Sequence, residues 1–292
     1  MEVFVVPDAD AVASCAAREV LEGLARATAR RSGARPPASG SPSTAKGQAG
    51  AKGAAAVGPA VSGPVVLGLA TGSSPLGLYR ELERAQGEGR VDLRAAHGVA
   101  LDEYVGLLAG HPQSYREVLR REVGDRLGID DARLHVPDGA HDDEASLAAA
   151  AADYEETIRG LGGVDVQILG IGVNGHLGFN EPGSALTSRT RVKRLAASTR
   201  EENARFFDSV DDVPTHCVTQ GLGTVLSARR LVLVATGEAK ARAVANAVEG
   251  PLTASCPASV LQWHADAVAV LDEGAAGLLA NRRYYDDSAA GL

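Results

Sequence analysis

Short, almost uninterrupted apolar runs spaced along the chain constrain its fold more than any other feature. They occupy residues 65–70, 98–101, 164–171, 231–235 and 267–271, with a further strand-like run at 1–6. Their apolar residues are not confined to alternate positions, as they would be in a strand with one wet face, and such runs are expected where a strand is covered on both sides. Between them the periodicity changes to helical. Residues 11–30 carry Val12, Ala16, Val20, Leu21 and Leu24 at helical spacing, and 142–161 is an alanine-rich helical stretch. Strands alternating with helices imply an α/β fold, a doubly wound, mainly parallel and Rossmann-like sheet flanked by helices. In such a sheet ligands bind outside the carboxyl ends of the strands, so the residues after each run are where chemistry is expected.

Size and charge narrow the functional classes. The chain has 292 residues, 45% of them hydrophobic, and a formal net charge of −8. That balance argues against nucleic acid or an anionic membrane as the partner, and leaves a phosphorylated ligand to be met by a local basic pocket. Cys15, Cys217 and Cys256 show no Cys-x-x-Cys spacing, which fits a reducing, cytoplasmic setting without a zinc site or disulfide framework. The first residues form neither the basic nor the apolar part of a signal peptide, and no apolar run approaches the ~18 residues of a membrane span. Residues 32–64 shift to Gly, Ala, Ser, Pro and Lys without a period. They read as a disordered, low-complexity insertion interrupting a single domain that spans 1–292.

Three stretches after apolar runs carry candidate chemistry. After residue 171 the chain reads Gly-Val-Asn-Gly-His-Leu-Gly-Phe-Asn-Glu-Pro, placing the imidazole of His176 and the carboxylate of Glu181 in a glycine-rich turn. Taken alone, the pattern serves equally for a solvated strand-to-helix turn. After residue 70 comes Thr71-Gly72-Ser73-Ser74-Pro75, with Pro75 set to start a helix and Ser73 or Ser74 to cap it. A helix start of this kind can receive an anion, or be an ordinary cap. After residue 101, Asp102-Glu103-Tyr104 puts a carboxylate at a strand's end. Two further features are electrostatic. Lys240 falls in a helix's first turn, where partial positive charge already resides, and a bound anion would relieve it. The basic residues Arg189, Arg191, Lys193 and Arg194 read by default as a charged helix face, and Thr199 with Glu202 as a capping box.

The blocks Leu67-Gly-Leu-Ala-Thr-Gly-Ser-Ser-Pro75, Asp102-Glu-Tyr-Val-Gly-Leu107 with His111-Pro112, and Gly170 to Pro182 together resemble glucosamine-6-phosphate deaminases, also called isomerases. Weaker matches at Ser188–Lys193, Arg205-Phe206-Phe207 and Val248-Glu249-Gly250 extend the resemblance over nearly the whole chain outside the 32–64 insertion. It implies aldose–ketose isomerisation and hydrolytic deamination of glucosamine 6-phosphate to fructose 6-phosphate and ammonia, in amino-sugar catabolism, with no cofactor and no metal. Asp102 then corresponds to the proton-shuttling carboxylate, His176 to the ring-opening residue and Glu181 to its orienting partner. Thr71, Gly72, Ser73, Ser74, Arg205 and Lys240 would hold the phosphate. Asn174, a further candidate of the catalytic loop, falls where some members carry Asp and others Asn, and the Asn form implies a two-residue relay of His176 with Glu181. Some members are hexamers activated by N-acetylglucosamine 6-phosphate and others are simpler. Ser184, Arg191, Lys193 and Tyr284 match the allosteric positions, but Arg194 replaces a smaller polar residue and would block or rebuild that site. A homo-oligomer is one expectation from this resemblance.

Two rivals are weaker. A 6-phosphogluconolactonase shares the fold and the Gly-x-Asp/Asn-Gly-His turn, but follows its His with Leu-Phe-Pro-Gly where this chain has Phe179-Asn180-Glu181-Pro182. A non-catalytic sugar-phosphate sensor would be expected to lose Asp102 or His176, and both are present.

Overall fold

In the computed structural model, which describes residues 1–31, 64–108 and 110–290, the apolar runs become strands buried along nearly their full length. These are β2 (Val66–Leu69), β3 (His97–Ala100), β6 (Val166–Leu169), β9 (Arg230–Ala235) and β10 (Ala267–Asp272), with β1 (Glu2–Val6) and β5 (Leu134–His135) at the edges. All are parallel, in the order β1-β10-β9-β6-β2-β3-β5. Helices Ala9–Arg31, Leu76–Gly87, Glu144–Gly160 and Ala241–Val248 flank the sheet, as the doubly wound reading requires. From β2 the chain moves one way to β3 and later returns on the other side as β6, so the sheet reverses direction between β2 and β6. A crevice opens at the carboxyl ends of strands at such a reversal.

A second sheet departs from the all-parallel expectation. β4 (Asp102–Tyr104), β8 (His216–Thr219) and β7 (Arg191–Arg194) form an antiparallel ribbon. The basic cluster is therefore strand and adjoining loop, not a helix face. Val192 packs with Leu147, Ala151 and Val218, which turns Arg191 and Lys193 to the opposite face. Nor is Thr199 a helix cap. The helix Ala197–Asn203 starts two residues earlier, leaving Thr199 inside it and Glu202 free to reach elsewhere. The low-complexity reading of 32–64 lies outside the described residues except at Pro64.

Two carboxylates organise the scaffold. Glu103 is buried beside Asp102 and caps the helix Tyr115–Leu119 from a distance. Its Oε1 accepts from the Tyr104 and Tyr115 N–H groups at 2.8 and 2.9 Å, and Oε2 from the Ser114 hydroxyl and Arg116 N–H at 2.8 and 3.1 Å. Glu103→Ala should strand these donors and cost about 2–4 kcal/mol, read as a lowered urea midpoint at unchanged slope; an unchanged midpoint would refute the capping role. At the other end of the sheet, Asp165 accepts from the Val66 N–H and the Arg31 guanidinium, each at 2.9 Å. Among the described residues, no helix is long and apolar enough to cross a membrane.

Candidate active site

Four loops, following the adjacent strands β9, β6, β2 and β3, meet at the carboxyl edge of the large sheet. They bring Lys240, the Asn174–Glu181 turn, the Thr71–Ser74 turn and Asp102 to one region. The small ribbon sharpens this placement, because Asp102 starts β4 immediately after β3 ends and pairs across to Thr219 on β8.

The β6 turn is shaped around an imidazole. The Gly172 N–H bonds the His176 carbonyl at 3.0 Å, and the ring of His176 lies against the Gly172 backbone. A Cβ there would fall 2.5 Å from Nε2 and nearer still to Cε1 and Nδ1. His176 Nδ1 stands 2.8 Å from Asn174 Oδ1, and Asn174 Nδ2 donates to Glu181 Oε2 at 2.8 Å. Glu181 Oε1 accepts from the Thr199 hydroxyl at 2.5 Å and the Ala196 N–H at 3.3 Å. The direct His176–Glu181 relay expected from the sequence is thus replaced by a chain through Asn174. Nδ1 and Oε2 are 3.7 Å apart, and the amide fills the gap. An amide oxygen facing Nδ1 requires that nitrogen to carry the proton, which leaves Nε2 as the acceptor toward the crevice. Burial pushes the His176 pKa below its ordinary value, while Glu181 and Glu202 pull it up and Lys240 opposes them.

Asp102 is 4% exposed. Burial first, and then the neighbouring Glu103 charge, raise its pKa to about 8, with the Phe179 N–H drawing it back. Space for this carboxylate exists because residue 178 is glycine in a left-handed conformation (φ 54°); a Cβ there would sit 3.0 Å from Asp102 Oδ2 and 3.2 Å from the Thr219 hydroxyl. Tyr104, Tyr115, Phe179 and Phe207 pack together behind the loops, with ring centroids 4.9 to 5.9 Å apart.

The anion-binding candidates are only partly assembled. Gly72 takes φ 86°, and the helix Leu76–Gly87 begins after Pro75 with no side-chain cap. Neither serine hydroxyl caps it, contrary to the sequence expectation; the Leu76 N–H instead bonds the Ser73 carbonyl at 3.4 Å. Ser74 lies alongside Gly170 at the end of β6. Lys240 Nζ is 3.4 Å from Glu202 Oε1. Arg205 is exposed, its guanidinium stacked 4.8 Å over the Phe206 ring, and among the described residues no hydrogen bond joins it to the Thr71–Ser74 turn.

Of the four positions matched to an allosteric site, Ser184 is buried with no partner for its hydroxyl among the described residues. Arg191 and Lys193 share a face of β7, Arg191 in one cross-strand row with Thr219 and Asp102. Arg194 is exposed and pairs with His216. Tyr284 lies apart, 69% exposed on the helix Arg282–Ala290, which packs against β1 at the sheet's far edge. The chain alone does not gather these four residues.

Comparison with known proteins supplies the chemical context. The family described as "Glucosamine-6-phosphate isomerases/6-phosphogluconolactonase" matches residues 43–270. A glucosamine-6-phosphate deaminase of Arthrobacter sp. (strain FB24) is 55% identical over 219 residues, covering 75% of this chain and 83% of the relative. Among solved structures, a monomeric glucosamine-6-phosphate deaminase superposes with a TM-score of 0.78 at 34% identity, covering 95% of this chain and 100% of the other. A 6-phosphogluconolactonase from Trypanosoma brucei reaches a TM-score of 0.67 at 19% identity, over 96% of this chain and 98% of the other, and so shares the fold.

Proposed function

Because the chain belongs to the family of glucosamine-6-phosphate isomerases and 6-phosphogluconolactonases, we propose that its crevice is a glucosamine-6-phosphate deaminase site, converting that sugar to fructose 6-phosphate and ammonia. The observation that carries this reading is that a buried carboxylate, Asp102, and an oriented imidazole, His176, stand on loops at the same carboxyl edge of the sheet. A sugar-phosphate isomerase needs both. One group opens the ring by moving a proton from the anomeric hydroxyl to the ring oxygen; the other carries a proton between adjacent carbons on one face.

His176 Nε2 suits the first step. Its Nδ1–H is held by Asn174, so the imidazole can accept the hydroxyl proton and return it to the ring oxygen while Glu181 steadies the positive charge through the amide. Asp102 suits the second. It takes the C2 proton of the open-chain aldehyde as a proton passes from the 2-ammonium to the carbonyl oxygen, giving an enolamine, and then delivers its proton to C1, giving a protonated ketose imine. Water adds to the protonated imine and ammonia leaves. A carboxyl whose pKa sits near 8 is poorly ionised at neutral pH, but the substrate's 2-ammonium brings a positive charge to the same site and favours the carboxylate. Thr71, Gly72, Ser73 and Ser74 with Lys240 and Arg205 would receive the phosphate, Arg205 after leaving Phe206. One domain built on a continuous core from Val3 to Leu279 would carry the activity. Three buried free cysteines suit a cytoplasmic enzyme. Activation by N-acetylglucosamine 6-phosphate through Ser184, Arg191, Lys193 and Tyr284 would require Tyr284 from another copy of the chain.

The test is release of ammonia from glucosamine 6-phosphate by the purified protein, with and without N-acetylglucosamine 6-phosphate. Lys240→Ala should raise KM on the order of tenfold to a hundredfold with a smaller change in kcat, since a charge-assisted contact remote from the reacting carbons is lost. Hydrolysis of 6-phosphogluconolactone in place of ammonia release would refute the assignment.

A further inference from the structure

The contact between Lys240 and Glu202 serves no step of the reaction just derived, and its placement is unusual. Lys240 immediately precedes the helix Ala241–Val248, so its ammonium adds to the partial positive charge of that helix end. Glu202 comes from a different element, the helix Ala197–Asn203, and reaches Lys240 Nζ at 3.4 Å. Both side chains are largely withdrawn from solvent, at 17% and 30% exposure. Their charges also act in opposite senses on His176, which places the pair beside the imidazole and not on a remote surface.

We infer that Glu202 is an internal counter-anion that occupies the phosphate-binding cation until substrate displaces it, and so sets which anions the site accepts. The inference rests on the reading of Lys240 as a phosphate ligand. A carboxylate carries one negative charge and a sugar phosphate near neutral pH carries close to two, so the phosphate can displace it, whereas a sugar without phosphate has nothing to offer Lys240. Once phosphate is bound, Glu202 faces a like charge and turns away. The backbone of its helix need not move. Thr199 lies one helical turn before Glu202 and is fastened to Glu181 at 2.5 Å, so the helix stays anchored to the His176–Asn174–Glu181 chain while the Glu202 side chain rotates. The exchange has a cost, because part of the phosphate's attraction to Lys240 is spent on breaking the existing pair.

The experiment measures competitive inhibition by inorganic phosphate, together with KM for glucosamine 6-phosphate, in the wild type, Glu202→Gln, Lys240→Met and the double variant. Glu202→Gln should lower both the phosphate inhibition constant and KM by roughly threefold to tenfold, the range for losing a partly exposed ion pair and its repulsion of the ligand. In the Lys240→Met background the same substitution should change neither. A merely structural Glu202 would raise KM when altered, and a long-range charge effect would lower the inhibition constant equally in both backgrounds; either result overturns the inference. Glu202→Asp, which keeps the charge but retracts it, should fall between wild type and Glu202→Gln and guards against a folding defect in the latter. If Lys240→Met leaves phosphate inhibition unchanged, the phosphate assignment itself fails, an outcome distinct from failure of the Glu202 exchange.

Discussion

Asp102→Asn should yield a protein that folds, binds glucosamine 6-phosphate and does not turn it over. The amide keeps the shape that fits beneath Gly178 but has no proton-accepting carboxylate, so kcat should fall by at least the ~10²–10⁴ of a lost acid–base group. Exchange of the substrate's C2 proton with solvent deuterium should stop in parallel; exchange at the wild-type rate would assign the shuttle to another residue. A second readout comes from stability. The folded state holds the Asp102 proton up to about pH 8, whereas an unfolded chain releases it near the ordinary value of 3.8. The contribution of Asp102 to stability is therefore full below pH 3.8, declines as pH rises and is fully lost above about 8, at roughly 1.4 kcal/mol per unit of separation. The Asn variant escapes that loss. Its denaturation midpoint should pull ahead of wild type as pH increases from 4 to 8, and a constant difference across that range would show that the carboxyl is not held protonated.

Gly172→Ala should be nearly as damaging to catalysis, although it changes no reacting group. The added methyl would overlap the His176 ring, with backbone fixed on one side and the Asn174–Glu181 chain on the other. The imidazole must tilt, losing either its Nδ1 bond to Asn174 or its aim into the crevice. A displacement of about 1 Å can cost on the order of 10²-fold in rate. Steady-state kinetics with the folded variant should show kcat reduced a hundredfold or more while inorganic phosphate still binds. Wild-type kcat would mean that the ring is free to move and that its tight seat is incidental.

The large sheet was legible in the sequence because every one of its central strands is an apolar run, and burial on both faces leaves no other composition workable. The loops carrying Asp102, Asn174, His176 and Glu181 were legible through their residues and positions after those runs. The antiparallel ribbon was not. β7 reads Arg-Val-Lys-Arg, a charged strand with a single apolar residue facing the helix Glu144–Gly160, and that pattern resembles an exposed helix face as readily as a strand. The placement of Asn174 between His176 and Glu181 was not legible for a related reason, since only distances reveal that the imidazole and carboxylate stand 3.7 Å apart with the amide between them. Glu103 was overlooked because its four donors come from two segments, one of them more than ten residues downstream. Long-range capping leaves no mark in local spacing.

The position of Asp165 has a bearing on how the protein can vary in length. Its carboxylate holds the end of the first helix at Arg31 and the start of β2 at Val66, so these two points of the scaffold are tied to one side chain. That side chain lies at the amino end of β6, across the whole depth of the sheet from the loops that carry His176 and Asp102. For any flexible insertion between ends held this close, each doubling of its length costs only about 0.6 kcal/mol of closure entropy. A module spliced in by design between residues 31 and 64 should therefore leave the register of β1 and β2, and the placement of His176 and Asp102, unchanged.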